Sequence, residues 1–148
     1  MEDISTLNNL LTALMTHFTE APGGVHNDFY DYIGGRLFLD RAPEGAEFPY
    51  VVFSIVADTP DNTFTDALDD VLIQFSLYST SSSATEMTTM YNDLKSLFDD
   101  CTFTLSPGTL LSMERVNLTT MVDDITTPSG TVGLKHWAVD YNVKVKDL

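Results

Sequence analysis

Apolar residues recur at Ile4, Leu7, Leu10, Leu11, Leu14, Met15 and Phe18, the i, i+3, i+4, i+7 spacing that gathers side chains on one stripe of a helix. Asp3 stands at the expected N-cap. Pro22-Gly23-Gly24 ends the segment, because proline lacks a backbone donor and the glycines favour a turn. From Val25 to Pro49 no period holds. Phe29, Tyr30, Tyr32 and Ile33 are apolar enough to pack, and Arg36 to Leu39 fits a short strand between Gly34-Gly35 and the Ala42-Pro43-Glu44-Gly45 turn.

Tyr50 to Ala57 reads as a buried strand, with β-branched and aromatic residues on both faces and Pro49 at its entry. Val71 to Ser79 alternates, Val71, Ile73, Phe75 and Leu77 against Leu72, Gln74, Ser76 and Tyr78. Between them, Asp58 to Asp70 is expected to be a polar hairpin connection. Ser83-Ala84-Thr85-Glu86 fits a capping box and opens a helix whose stripe is Met87, Met90, Tyr91, Leu94, Leu97 and Phe98. Leu110 to Val122 changes phase near Glu114-Arg115, which suggests a bulge. Val132 to Lys146 alternates cleanly, and a loop from Asp123 to Thr131 joins these two strands. The order helix, strands, helix, strands predicts an α+β fold. Its antiparallel sheet has four to five strands, with an N-terminal and a central amphipathic helix packed on it, in a single domain over 1–148.

Charge then limits the function. The 148 residues hold 22 acidic and 7 basic side chains, a net charge of -15. Seven cations cannot supply the phosphate contacts on which nucleic-acid affinity rests, and an anionic bilayer would repel this surface. With 43% hydrophobic and 11% aromatic residues the chain has the material for a core, unlike an acidic disordered segment. Met1-Glu2-Asp3 is acidic where a secretion signal is basic, and Cys101 stands alone. A reducing site of synthesis is expected.

The chemistry of sites gives little. No phosphate-cradling GxxxxGK[ST] occurs, and Gly130-Thr131-Val132-Gly133 lacks the strand and third glycine of a dinucleotide fingerprint. His17, His26 and His136 occur singly, and Cys101 reads as a small buried hydrophobe. Asp58, Asp61, Asp66, Asp69 and Asp70 offer oxygen ligands for a hard cation, but their spacing departs from the calcium-loop pattern, so a solvated acidic loop is expected. No catalytic residue, metal or cofactor is expected.

Phe48-Pro49-Tyr50-Val51-Val52-Phe53, an acidic connection, Asp69-Asp70-Val71-Leu72-Ile73-Gln74-Phe75-Ser76-Leu77-Tyr78-Ser79, and a helix opening Ser83-Ala84-Thr85-Glu86 together resemble the tail completion, or tail terminator, proteins of long-tailed bacteriophages. The closing strand with its His136-Trp137 is similar as well. The resemblance implies a virion structural protein of the tail and neck, made in the host cytoplasm. It implies a ring, a hexamer, that caps the head-proximal end of the tail tube, stops its polymerisation and joins a neck or head-completion protein. The implied partners are other copies of the chain, the tail tube protein and the neck protein, with no membrane.

Two other readings stay open: a head-tail connector or tube subunit, and an acidic DNA mimic that inhibits a basic host protein. Under the ring reading the excess charge acquires a use, because like-charged walls let DNA slide past without binding. The 58–70 aspartates are then candidates for the lumen. Asp123, Asp124, Ile125, Thr126, Thr127 and Pro128 are candidates for partner contact, since binding residues concentrate on loops. Arg36, Arg41, Lys95 and Arg115 are candidate counter-charges between subunits.

Overall fold

A computed structural model describes residues 4–147, less the side chains at 4–6 and 127, so the Asp3 cap lies outside the described residues. The elements are α1 (Ile4–Thr19), a 3-10 turn (Pro22–Gly24), α2 (Asp28–Ile33), β1 (Leu37–Leu39), β2 (Tyr50–Pro60), β3 (Leu68–Ser79), α3 (Ala84–Phe98), β4 (Thr109–Thr127) and β5 (Gly130–Lys146). They form an α+β fold. Its five-stranded sheet has the order β1-β2-β3-β5-β4. Only the short β1–β2 pair is parallel.

The period-2 pattern of the strands decides where the core sits. Val71, Ile73, Phe75 and Leu77 of β3 have no exposed surface, nor do Val51 of β2 and Tyr141, Val143 and Val145 of β5. These side chains share one face of the sheet. Leu10, Leu14 and Phe18 of α1, Phe29 and Ile33 of α2, and Met87, Met90, Leu94 and Phe98 of α3 pack onto it. The methionine stripe of α3 is therefore core. Phe98 sits at the centre, its ring 4.8 Å from Phe75, 6.4 Å from Phe29 and 6.4 Å from Tyr141. Burying each such side chain contributes roughly 1.5–3 kcal/mol.

Four expectations need correction. Residues 28–33, expected to be irregular, form α2, which its caps define. The Asn27 side chain accepts from Tyr30 N at 2.8 Å and donates to the Phe18 carbonyl at 2.8 Å, and Gly34 closes the helix at φ 58°. At α3 the capping box is rearranged. Ser83 Oγ accepts from Thr85 N, whereas Glu86 accepts from Ser79 Oγ at 2.7 Å and Ser83 N donates to Ser81 Oγ.

The acidic connection is shorter than expected. β2 runs to Pro60 and β3 begins at Leu68, so Asp58, Asp69 and Asp70 are strand residues. Finally, Asp123 to Thr131 is not a loop. The ladder continues to the Thr127–Gly130 pair, leaving Pro128 and Ser129 as the turn. The expected irregularity in β4 takes the form of two bulges, between Leu110 and Ser112 and between Arg115 and Asn117.

Candidate functional site

With all three helices on one face, the opposite face of the sheet is left without a helical cover, and its side chains are half-buried. Its composition splits along the strands. In one cross-strand row Tyr50, Tyr78, His136 and Met121 lie side by side on β2, β3, β5 and β4. Phe48 stacks on Tyr50 at 5.0 Å, Tyr50 meets Tyr78 at 5.1 Å, and Tyr78 stacks on His136 at 4.4 Å. Burial lowers the affinity of His136 for a proton, an effect that the nearby Asp123 opposes. The other end of this face is polar. Gln74 donates to Asp140 at 2.9 Å, and Asn142 and Lys144 both approach Asp70.

Beyond the Ser79–Lys135 pair β3 ends, and β4 and β5 continue alone. The five pairs from Asp123–Leu134 to Thr127–Gly130 make a two-stranded ribbon about 17 Å long at roughly 3.3 Å per residue. Ile125 and Val132 face each other on one side of it, next to the Asp123–Leu134 pair. At its base lie exposed Val122 (66%) and Met121 (38%). The predicted contact segment is thus a two-stranded hairpin that continues the ladder of the sheet.

The five aspartates do not form one patch. Asp61 and Asp70 approach Lys144 at 3.2 and 3.8 Å, and Asp66 meets Lys146 at 3.1 Å. The bulge after Ile55 turns Asp58 to the helix-side face opposite Val71, and Asp69 lies on that face too, paired with Val145. Of the four cations singled out, Arg36 donates to the Pro49 carbonyl at 2.9 Å and lies 3.9 Å from Glu47. Arg41 is exposed. Lys95 sits 4.7 Å over the Tyr91 ring. Arg115 is held by Asp99 and Tyr91, and their interactions raise its affinity for a proton.

Among the described residues no three His, Cys, Asp or Glu side chains are placed to hold a metal. His17 donates from Nε2 to the Leu97 carbonyl at 3.0 Å, between the rings of Phe98 and Phe103. Burial pushes the Cys101 thiol up to about 11, and its Sγ lies 3.6 Å from Met113 Sδ. Neither group is poised for chemistry.

Residues 28–146 match the family described as tail completion protein gp17. The chain belongs to that family. It is a phage tail structural protein and a virion component. Among solved structures, a chain of the "Virion of native gene transfer agent (GTA) particle" shares the fold, with a TM-score of 0.64 over 97% of this chain and 99% of that one, at 14% identity. No curated protein matches. The match begins at α2 and includes the ribbon, so most of the Val25 to Pro49 segment and all of 123–131 fall inside it.

Sequence reading missed two features of this family member. One is the aromatic row. Its signal was present as Tyr78 and His136 at polar-side positions of alternating strands. The other is the use of Asp99, at the C-terminal end of α3, as the acceptor for Arg115 and Tyr141.

Proposed function

We propose that this tail completion protein closes into a ring at the head-proximal end of the tail tube. There it ends tube growth and presents a surface to a neck protein, and DNA passes through without specific binding. The observation that supports this best is the uncovered face of the sheet. A subunit whose Phe48, Tyr50, Tyr78 and Met121 run in one row without a helix above them gains from a neighbour that covers the row. Unlike surfaces on one subunit join head to tail, and such contacts close when the rotation allows.

In the ring, part of the acidic excess faces the lumen. Asp61, Asp66 and Asp70 outnumber their partners Lys144 and Lys146, so this end keeps a net negative charge that repels passing phosphates. Mass photometry of the purified chain, alone and with tail tubes, should give a discrete oligomer of about six copies. Electron microscopy of tails should place it at one end only. Long tubes at high concentration would identify a tube subunit instead, and binding to the portal side without the tube would identify a connector. A strict monomer that never joins tails would exclude the ring.

A further inference from the structure

A cleft runs between α3 and the base of the ribbon. Met87, Trp137 and Val122 wall it, and Lys135 lies at its mouth. Beside it, the Tyr91 ring meets Trp137 edge-on at 5.7 Å and has Lys95 and Arg115 at 4.7 and 5.7 Å from its centre. Lys135 donates to the Ser83 carbonyl at 2.9 Å. Among the described residues neither Lys95 nor Lys135 forms an ion pair. Lys135 therefore lines the cleft, and Lys95 stands beside it on the neighbouring Tyr91 ring, in a chain whose net charge is -15.

The ribbon has the opposite character. Asp123 shares one side of it with Ile125, which pairs with Val132, and Asp124 faces the other side, on a two-stranded segment that has no third strand. A lone hairpin is marginal in water and needs something to pack against. It cannot fold back into its own cleft. Thr120 and Val122 at its base already form a wall of that cleft, and the five pairs beyond continue the ladder away from it.

We propose that the ribbon of one subunit seats in the α3 cleft of the next copy, with Ile125 toward Trp137 and Asp123, on the same side of the ribbon, toward Lys135 and Lys95. The occupant is a second copy of this chain. The Ile125 and Asp123 side of its ribbon complements a cleft walled by Trp137 with lysines at and beside it, which fixes register and excludes wrong partners. Ribbon and cleft are different surfaces, so the contact is heterologous and repeats around a ring. This assigns one subunit contact within the ring reading, besides the cover over the aromatic row, and rests on that reading.

The test uses the full chain in two preparations, Ile125→Cys and Ala84→Cys, the latter in the cleft wall. A disulfide requires Cα atoms within about 7 Å, so oxidising the mixture should give a covalent two-chain species that either preparation alone lacks. In parallel, Lys95→Glu with Lys135→Glu should abolish the ring in mass photometry. Adding Asp123→Lys to the same chain should restore ring formation and adding Asp124→Lys instead should not, with circular dichroism unchanged throughout. Rings that form without the mixed cross-link, and that ignore the charge reversal, would overturn this contact and leave the ring itself standing. Absence of any ring, alone or on tails, would overturn both.

Discussion

The Tyr141 hydroxyl donates to the Asp99 carboxylate, joining β5 to the C-terminal end of α3. Arg115 of β4 reaches the same carboxylate with Nε at 3.2 Å and Nη2 at 3.1 Å, and its Nη1 donates to the Tyr91 hydroxyl at 2.9 Å. An acid at a helix C-terminus opposes the helix dipole, yet here it has donors from two strands. The cluster ties α3 to both strands that carry the ribbon.

Removing the hydroxyl should therefore weaken the whole domain. Tyr141→Phe leaves the ring packed against Phe75 and Phe98 but deletes one charge-assisted hydrogen bond, at a cost of about 1–2 kcal/mol. Asp99→Ala should cost more, because it strands both Tyr141 and Arg115. Urea unfolding of the three proteins checks the order. A Tyr141→Phe midpoint equal to that of the parent would show that the bond contributes nothing.

The same residue sets an alkaline limit. Burial holds the Tyr141 hydroxyl well above the usual phenol range, reinforced by its bond to Asp99 and that carboxylate's charge, with Arg115 opposing. A group whose proton is held more tightly in the folded state contributes stability that is fully present below its unfolded pKa. That contribution is lost as pH rises. Stability should accordingly decline above about pH 10, the ordinary tyrosine value. Denaturant midpoints from pH 8 to 11 should fall less steeply in Tyr141→Phe than in the parent chain.

How much of this was legible follows from which forces leave a periodic trace. Leu10, Leu14 and Phe18, and likewise Met87, Met90, Leu94 and Phe98, repeat at helical spacing because one face of each helix is buried. β3 alternates for the same reason. α2 has six residues, too few for a period, and depends on Asn27 and Gly34. The ribbon leaves no such trace, because Asp123, Asp124, Thr126 and Thr131 are exposed on a ladder with no core beneath it. The Asp99–Tyr141 bond joins residues 42 apart, and local sequence says nothing about a pairing that only the fold creates.

Cys101 gives a prediction about reactivity. Burial, with Asp99 and Asp100 adding to it, pushes its thiol up to about 11 from an ordinary 9.0. The thiolate is the nucleophile, so at pH 8 its population in the folded chain should be roughly 100-fold below that of the unfolded chain, two pK units being two decades. Colorimetric thiol titration with and without urea measures the ratio. Equal rates in both states would mean that the thiol is neither buried nor shifted.

His136 should respond in the opposite pH range. It stacks on Tyr78 at 4.4 Å, and its Nε2 is enclosed with no hydrogen-bond partner among the described residues. Burial lowers its pKa below the usual histidine value, while Asp123 opposes the shift. With a folded pKa below the unfolded one, its contribution to stability is present above about pH 6.5 and is lost as pH falls below it. Comparing urea midpoints at pH 5 and 7.5 for the parent and His136→Gln isolates this term from the many carboxylates. The parent should lose more on acidification than the variant. Proton NMR should show the ring titrating below the ordinary value in the isolated chain. Covering this face in an assembled ring would remove more water from the imidazole and move its titration lower still. A titration at or above 6.5 in both states would mean that this row is open to solvent and that no neighbour covers it.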